Sequence, residues 1–223
     1  MPPSAHIRFN ESDSPIQDPV NKFGGQPVWV GAPAWPNSAT TGNPMRFICQ
    51  IRLDSRIFGG DGNRMAYLFM TDEADDSVDG TWEPDGGENA VIIQEIATSV
   101  HSSEGPTLYQ MVDRGGPRLV QITVELAVEL ELRDDPPFVA ETERFEWPEE
   151  EDEAYSRKLE GNKIGGSPLF LQNDEIPEDG AWDLLLQLDS TKVPFSINFG
   201  DAGVGYAFIS RDRRKGKFLW QCC

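Results

Sequence analysis

The most regular pattern in the chain is QITVELAVELELR, residues 121–133. Ile122, Val124, Leu126, Val128, Leu130 and Leu132 alternate with Thr123, Glu125, Ala127, Glu129 and Glu131. Strict period two predicts a strand with one apolar face and one acidic, solvated face. NAVIIQEI (89–96) predicts another strand. RFICQIRL (46–53) and DLLLQL (183–188) are short, nearly continuous apolar runs, as expected of strands covered on both sides. Each holds one glutamine among its apolar residues, Gln50 or Gln187, which must bond to backbone or to its counterpart. MAYLFM (65–70) and GYAFIS (205–210) are aromatic-rich strands introduced by Gly-Asp turns. EEEDEAYSRKLEG (149–161) has acids first, bases last and a glycine stop, the charge order of a helix. The opening MPPSAHIRFN reads as a tail. The predicted class is mainly β, an α+β fold with few short helices.

The pattern occurs twice. KFGGQPVWV (22–30) returns as KIGGSPLFL (163–171). Gln50 then corresponds to Gln187, Asp54-Ser55 roughly to Asp189-Ser190, Gly60-Asp61 to Gly200-Asp201, and Tyr67-Leu68-Phe69 to Tyr206-Ala207-Phe208. Blocks in the same order at nearly constant separation indicate an internal duplication. The expected organisation is a single domain, 1–223. It comprises a first repeat (about 20–98), connecting strands with an acidic segment (99–160) and a second repeat (161–223), with the two β-rich modules packed about a pseudo-twofold axis. Each glycine pair should turn the chain with φ > 0. The strand after it should bury Val28 and Val30 in one half, Leu169 and Leu171 in the other. On that reading Gly166→Val should cost about 1–3 kcal/mol.

Composition supports a globular chain. Of 223 residues, 38% are hydrophobic and 10% aromatic, too many for a disordered chain. The 21 glycines and 17 prolines suit short strands and turns. The net charge of −19 changes the functional picture: it repels nucleic acid and anionic membranes and favours a basic partner. The start lacks the apolar core of a signal peptide, and no run approaches membrane-span length. Cys49, Cys222 and Cys223 read as reduced thiols, and the expected location is cytoplasmic. Acids concentrate in residues 72–88 and 141–153. Asp72, Asp75, Asp76, Asp79 and Asp85 could offer oxygens to calcium, but their spacing is not that of an EF-hand, so the stretch reads as a solvated loop.

Candidate chemistry is sparse. The only histidines are His6 and His101. A nucleophilic site around His101 with Ser102 or Ser103 lacks a G-x-S-x-G elbow. No C-x-x-C pair, dinucleotide fingerprint or phosphate loop is present, so no metal or cofactor is expected. The favoured expectation is a non-catalytic cytoplasmic protein that binds a basic protein; a toxin neutralised in its own cell is one such partner. The alternative is a small-molecule-binding protein or enzyme, with a cleft between the repeats lined by Lys22, Gln50, Asp61, Lys163, Gln187 and Asp201.

K-[FI]-G-G-x-P in both halves, LLLQLDS, FGDAGVGYAFI, TWEPDGGENAV and the closing LWQCC together resemble the YwqG-like proteins, a bacterial family of unknown function. The resemblance covers nearly the whole chain from about Lys22. It implies a β-rich duplicated fold and brings no established activity and no catalytic residues. A more distant similarity to the carboxy-terminal domain of the programmed cell death 2 proteins, linked to ribosomal-protein handling, implies a binding role.

Overall fold

The computed structural model describes all residues except 72–78, 98 and 117. The chain is mainly β. In order it forms β1 (Pro3–Glu11), β2 (Lys22–Gly24), β3 (Val28–Trp29), β4 (Arg46–Arg52), α1 (Ser55–Phe58), β5 (Arg64–Met70), β6 (Asn89–Glu95), β7 (His101–Ser102), β8 (Tyr109–Val112), β9 (Val120–Thr123), β10 (Glu125–Asp134), α2 (Glu141–Arg144), α3 (Glu149–Leu159), β11 (Lys163–Gly165), β12 (Trp182–Asp189), β13 (Val204–Ser210) and β14 (Gly216–Gln221). Ten strands make one antiparallel sheet in the order β14-β13-β12-β11-β1-β10-β2-β4-β5-β6. The sheet curls until its edges meet. A Cβ on Gly216 of β14 would stand 2.2 Å from Val91 of β6. No ladder joins these edges among the described residues; side chains bridge the seam, including Lys217 to Asp85 at 2.7 Å.

Strand alternation sorts the side chains. Ala5, Phe23, Ile51, Leu68, Leu126, Leu188, Ala207 and Phe218 point inward to the main core. Outside, residues 26–45 cover one end of the sheet and residues 166–181 the other. Trp29, Val30, Met45 and Phe47 pack with Tyr67 and Phe69 under the first cover. Phe170 packs with Leu184, Tyr206 and Phe208 under the second. This double covering is why β4, β5, β12 and β13 read as nearly unbroken apolar runs.

The strand order matches from either end: a three-residue glycine strand, a Gln-bearing strand and an aromatic strand lie on each side of the central β1–β10 pair. Lys22 faces Gln50 in register, as Lys163 faces Gln187. Both Gln-bearing strands carry a register shift just before the glutamine, at Phe47/Cys49 and Leu184/Leu186. The halves are ends of one continuous sheet, not separate modules packed on each other.

Three expectations change. Residues 3–11 are a central strand rather than a tail; Ala5, Ile7 and Phe9 alternate with Ser4, His6, Arg8 and Asn10. The long alternating segment is interrupted at Val124, whose N–H donates to Leu108 O and whose carbonyl accepts from Gly25 N. β9 therefore pairs with β8 while β10 joins the main sheet. In the second cover, Phe170 is buried while Leu169 is half-buried and Leu171 is 41% exposed. Leu171 N is held by Gln221 Oε1 at 3.0 Å, which leaves its side chain facing out. Val28 and Val30 are buried as expected, and all four glycines of the two pairs have φ between +61° and +79°.

His6 on β1 has a buried Nε2 with no hydrogen-bond partner among the described residues. Burial, then the charges of Arg133 and Lys163, hold its pKa below the ordinary 6.5, against Asp135 and Glu131. The folded state thus binds less proton than the unfolded state below that pH, and stability should fall as pH drops through 6.5. Urea titrations of the wild type and His6→Gln between about pH 7.5 and pH 5, above the usual carboxylate range, should show a shallower loss in the variant. Equal slopes would refute the assignment to His6.

Candidate functional site

The two glycine strands place a lysine on the outer face of the sheet, beneath each cover. Lys22 is 1% exposed; its ammonium donates to Glu125 Oε1 (2.5 Å), Gln26 O (2.7 Å) and Ile16 O (3.0 Å). Lys163 is fully buried and donates to Asp135 Oδ2 and Ser167 O, both at 2.6 Å. Burial lowers the pKa of each, opposed by the hydrogen bond and charge of its carboxylate partner. Buried ammonium groups hold their charge only when paired in this way.

Each glutamine clamps its cover. Gln50 accepts from Val28 N at 2.8 Å and donates to Val20 O. Gln187 accepts from Leu169 N at 2.9 Å and donates to Leu159 O and Gly161 O. The tyrosines add to the clamp: Tyr67 donates to Val28 O and accepts from Val30 N, and Tyr206 donates to Leu169 O. Burial pushes both phenol pKa values up. Each glutamine therefore bonds to backbone, one of the two outcomes the sequence allows.

The two ion pairs are not equally closed. Asp135 is 2% exposed, and both its oxygens are used: Ser4 Oγ donates to Oδ1, and Lys163 and Ser167 N donate to Oδ2. Glu125 is more open, its side chain 15% exposed. Its Oε1 also accepts from Ile16 N at 3.0 Å, while Oε2 accepts nothing from the described residues. Glu125 and Lys22 stand in the wall of a half-open cavity of about 810 Å³, bordered by the chain after β1, the turn after β2 and the segment around β7. That volume lies in the range of small-molecule sites.

The six residues singled out from the sequence do not share one cleft. Lys22 and Gln50 sit together under the first cover, and Lys163 and Gln187 under the second. β10 and β1 stand between β2 and β11, a separation of roughly 14 Å by strand spacing alone. Asp61 lies in a turn, accepting from Asn63 N, and borders a separate cavity of about 350 Å³ with Arg64, Arg211 and Arg213. Asp201 is exposed in the turn before β13. Sequence reasoning missed Glu125 and Asp135. In the sequence Glu125 reads only as part of a solvated acidic face, and nothing local links either acid to a lysine.

The serines and histidine offered for nucleophilic chemistry are occupied differently. Ser103 Oγ accepts from Trp29 Nε1 at 2.7 Å, and His101 Nε2 is 3.4 Å from Ser99 Oγ. Cys49 is fully buried, and burial pushes its thiol pKa up. No cluster of three or more His, Cys, Asp or Glu suited to a metal exists among the described residues. Asp72, Asp75 and Asp76 of the calcium reading lie outside them.

A second surface combines charge with an exposed ring. Tyr155 of α3 fastens the helical segment: its hydroxyl donates to Pro137 O and accepts from Val139 N, and Trp147 packs edge-on against it at 5.5 Å. Arg144 joins α2 to α3 through Asp152 and lies over the Tyr155 ring. Between these anchors Phe145 is left 87% exposed. Glu141, Glu143, Glu146, Glu149, Glu150 and Glu151 around it in the chain are all exposed.

No helix among the described residues is long and apolar enough to cross a membrane. No curated protein matches the chain. A family model described as a domain of unknown function, DUF1963, matches residues 21–218, which takes in both covers, both ion pairs and the acidic helical segment. The chain belongs to this DUF1963 family.

Proposed function

We propose that the protein is a non-catalytic, cytoplasmic binding protein that holds a basic protein partner against the α2–α3 segment. Phe145 is the observation that carries this reading. An 87% exposed phenylalanine among exposed glutamates, on helices fixed by Tyr155 and Arg144, offers an apolar anchor inside a field of one sign. The net charge of −19 favours encounter with a cationic surface. Toxin neutralisation is one biological form of this role, and the YwqG-like resemblance is compatible with it. The mirrored strand order and the repeated Lys, Gln and Tyr clamps further support the proposal that the two halves are copies of one unit.

Capture from host lysate at two salt concentrations tests the role. A specific basic protein should be retained by the wild type and lost with Phe145→Ser, and separately with Glu149→Lys/Glu150→Lys. Retention should weaken with salt, since exposed charges are screened within about 8–10 Å at physiological ionic strength. Capture that is indifferent to all of these changes would refute it.

A further inference from the structure

The cavity beside Lys22 has no assigned use, and its chemistry differs from that of the α2–α3 surface. Its wall includes Lys22 and Glu125, with Asp13 and Glu104 also contributing. The lysine cannot serve an anion: its three protons are given to Ile16 O, Gln26 O and Glu125 Oε1. What remains in the wall beside it is acceptor capacity. Glu125 Oε2 takes no hydrogen bond from the described residues. Formal charges of one lysine against three carboxylates leave the wall negative. Pro15, Ile16, Pro27, Val28, Val100 and Val124 supply apolar surface in the same cavity. The corresponding place in the other half is closed, because Asp135 is saturated by Ser4, Lys163 and Ser167. The open carboxylate therefore belongs to one end of the sheet alone.

We propose that this cavity binds an alkylammonium or alkylguanidinium group, the cation donating to Glu125 Oε2 and the alkyl chain lying on the apolar wall. A small free amine and a lysine or arginine side chain share this chemistry. The proposal does not depend on the α2–α3 reading and would survive its failure.

Calorimetric titration of the full chain with spermidine and agmatine tests it, with glutarate as the anionic control and N-acetyl-lysine-methylamide standing for a protein side chain. One saturable site for the cations and none for glutarate is expected. Thr123→Arg, which adds a fixed cation at an exposed wall position, should weaken binding at least roughly tenfold. Asp13→Asn/Glu104→Gln should weaken it in the same direction. Glu149→Lys/Glu150→Lys, outside the cavity, should leave it unchanged. Tighter binding of the lysine derivative than of the free amines would identify the source as a side chain; the reverse order would identify a small ligand. Absence of saturable binding overturns the proposal. So does equal affinity in the wild type and Thr123→Arg, which would reduce the effect to diffuse attraction by an acidic surface.

Discussion

Asp135→Ala is expected to destabilise the protein by about 3–5 kcal/mol, among the largest effects a single side chain can have here. Asp135 is 2% exposed and receives Ser4 Oγ, Lys163 Nζ and Ser167 N. Its loss leaves a fully buried ammonium with only Ser167 O as acceptor, and two further donors unpaired. Lys163 can shed its proton, which burial already favours, and this relief limits the loss. The double replacement Lys163→Met/Asp135→Leu should recover only part of the stability: the buried charge and its desolvation disappear together, but Ser4 Oγ and Ser167 N stay without their acceptor. Glu125→Ala should cost less than Asp135→Ala, since Glu125 is 15% exposed and solvent can reach the vacated position. Urea unfolding of the four proteins gives the ranking. An Asp135→Ala variant within about 1 kcal/mol of the wild type would mean that the pair adds little to the fold.

What the sequence reveals depends on whether a residue's partner lies on its own strand pattern. The alternation Leu126, Val128, Leu130 found the inward face of β10 because a strand facing solvent on one side writes its burial into every second residue. Gln50 and Gln187 were legible as buried polar groups needing backbone partners, because each interrupts an apolar run. The repeated glycine pairs gave both positive-φ turns. β1 reads as a tail although SAHIRFNE alternates, since a short terminal stretch gives little periodic signal and its partners, β10 and β11, lie more than 100 residues away. The Val124 interruption is invisible locally: the alternation continues through it, and only the bonds to Leu108 and Gly25 divide the strand. The cleft failed for a related reason. Equivalent residues in two halves need not approach each other when the sequence places two strands between them. Glu125 and Asp135 escaped notice because they reach the lysines across the sheet, and in so acidic a chain no single carboxylate stands out.

Gly166→Ala is expected to cost about 3 kcal/mol or more, well beyond the strain of its backbone alone. Gly166 has φ +79°, a conformation costly for any side chain, and Gly42 has φ +74°. The difference is what a methyl group would meet. At Gly42 nothing lies within 4 Å; at Gly166 the new Cβ would stand 2.1 Å from Asp135 Oδ2 and 2.8 Å from Ser4 Cβ. Gly42→Ala therefore isolates the strain, about 1 kcal/mol, while Gly166→Ala adds displacement of the carboxylate that pairs with Lys163. Gly166→Val should be worse than either, and above the range expected from the sequence, because a branched side chain cannot rotate away from both neighbours. The excess of Gly166→Ala over Gly42→Ala should also shrink in the Lys163→Met/Asp135→Leu background, where no buried charge depends on the displaced group. Equal costs at the two glycines, or an excess untouched by removing the ion pair, would mean that the KIGG turn is conformational only and that its glycine does not protect the Asp135 carboxylate.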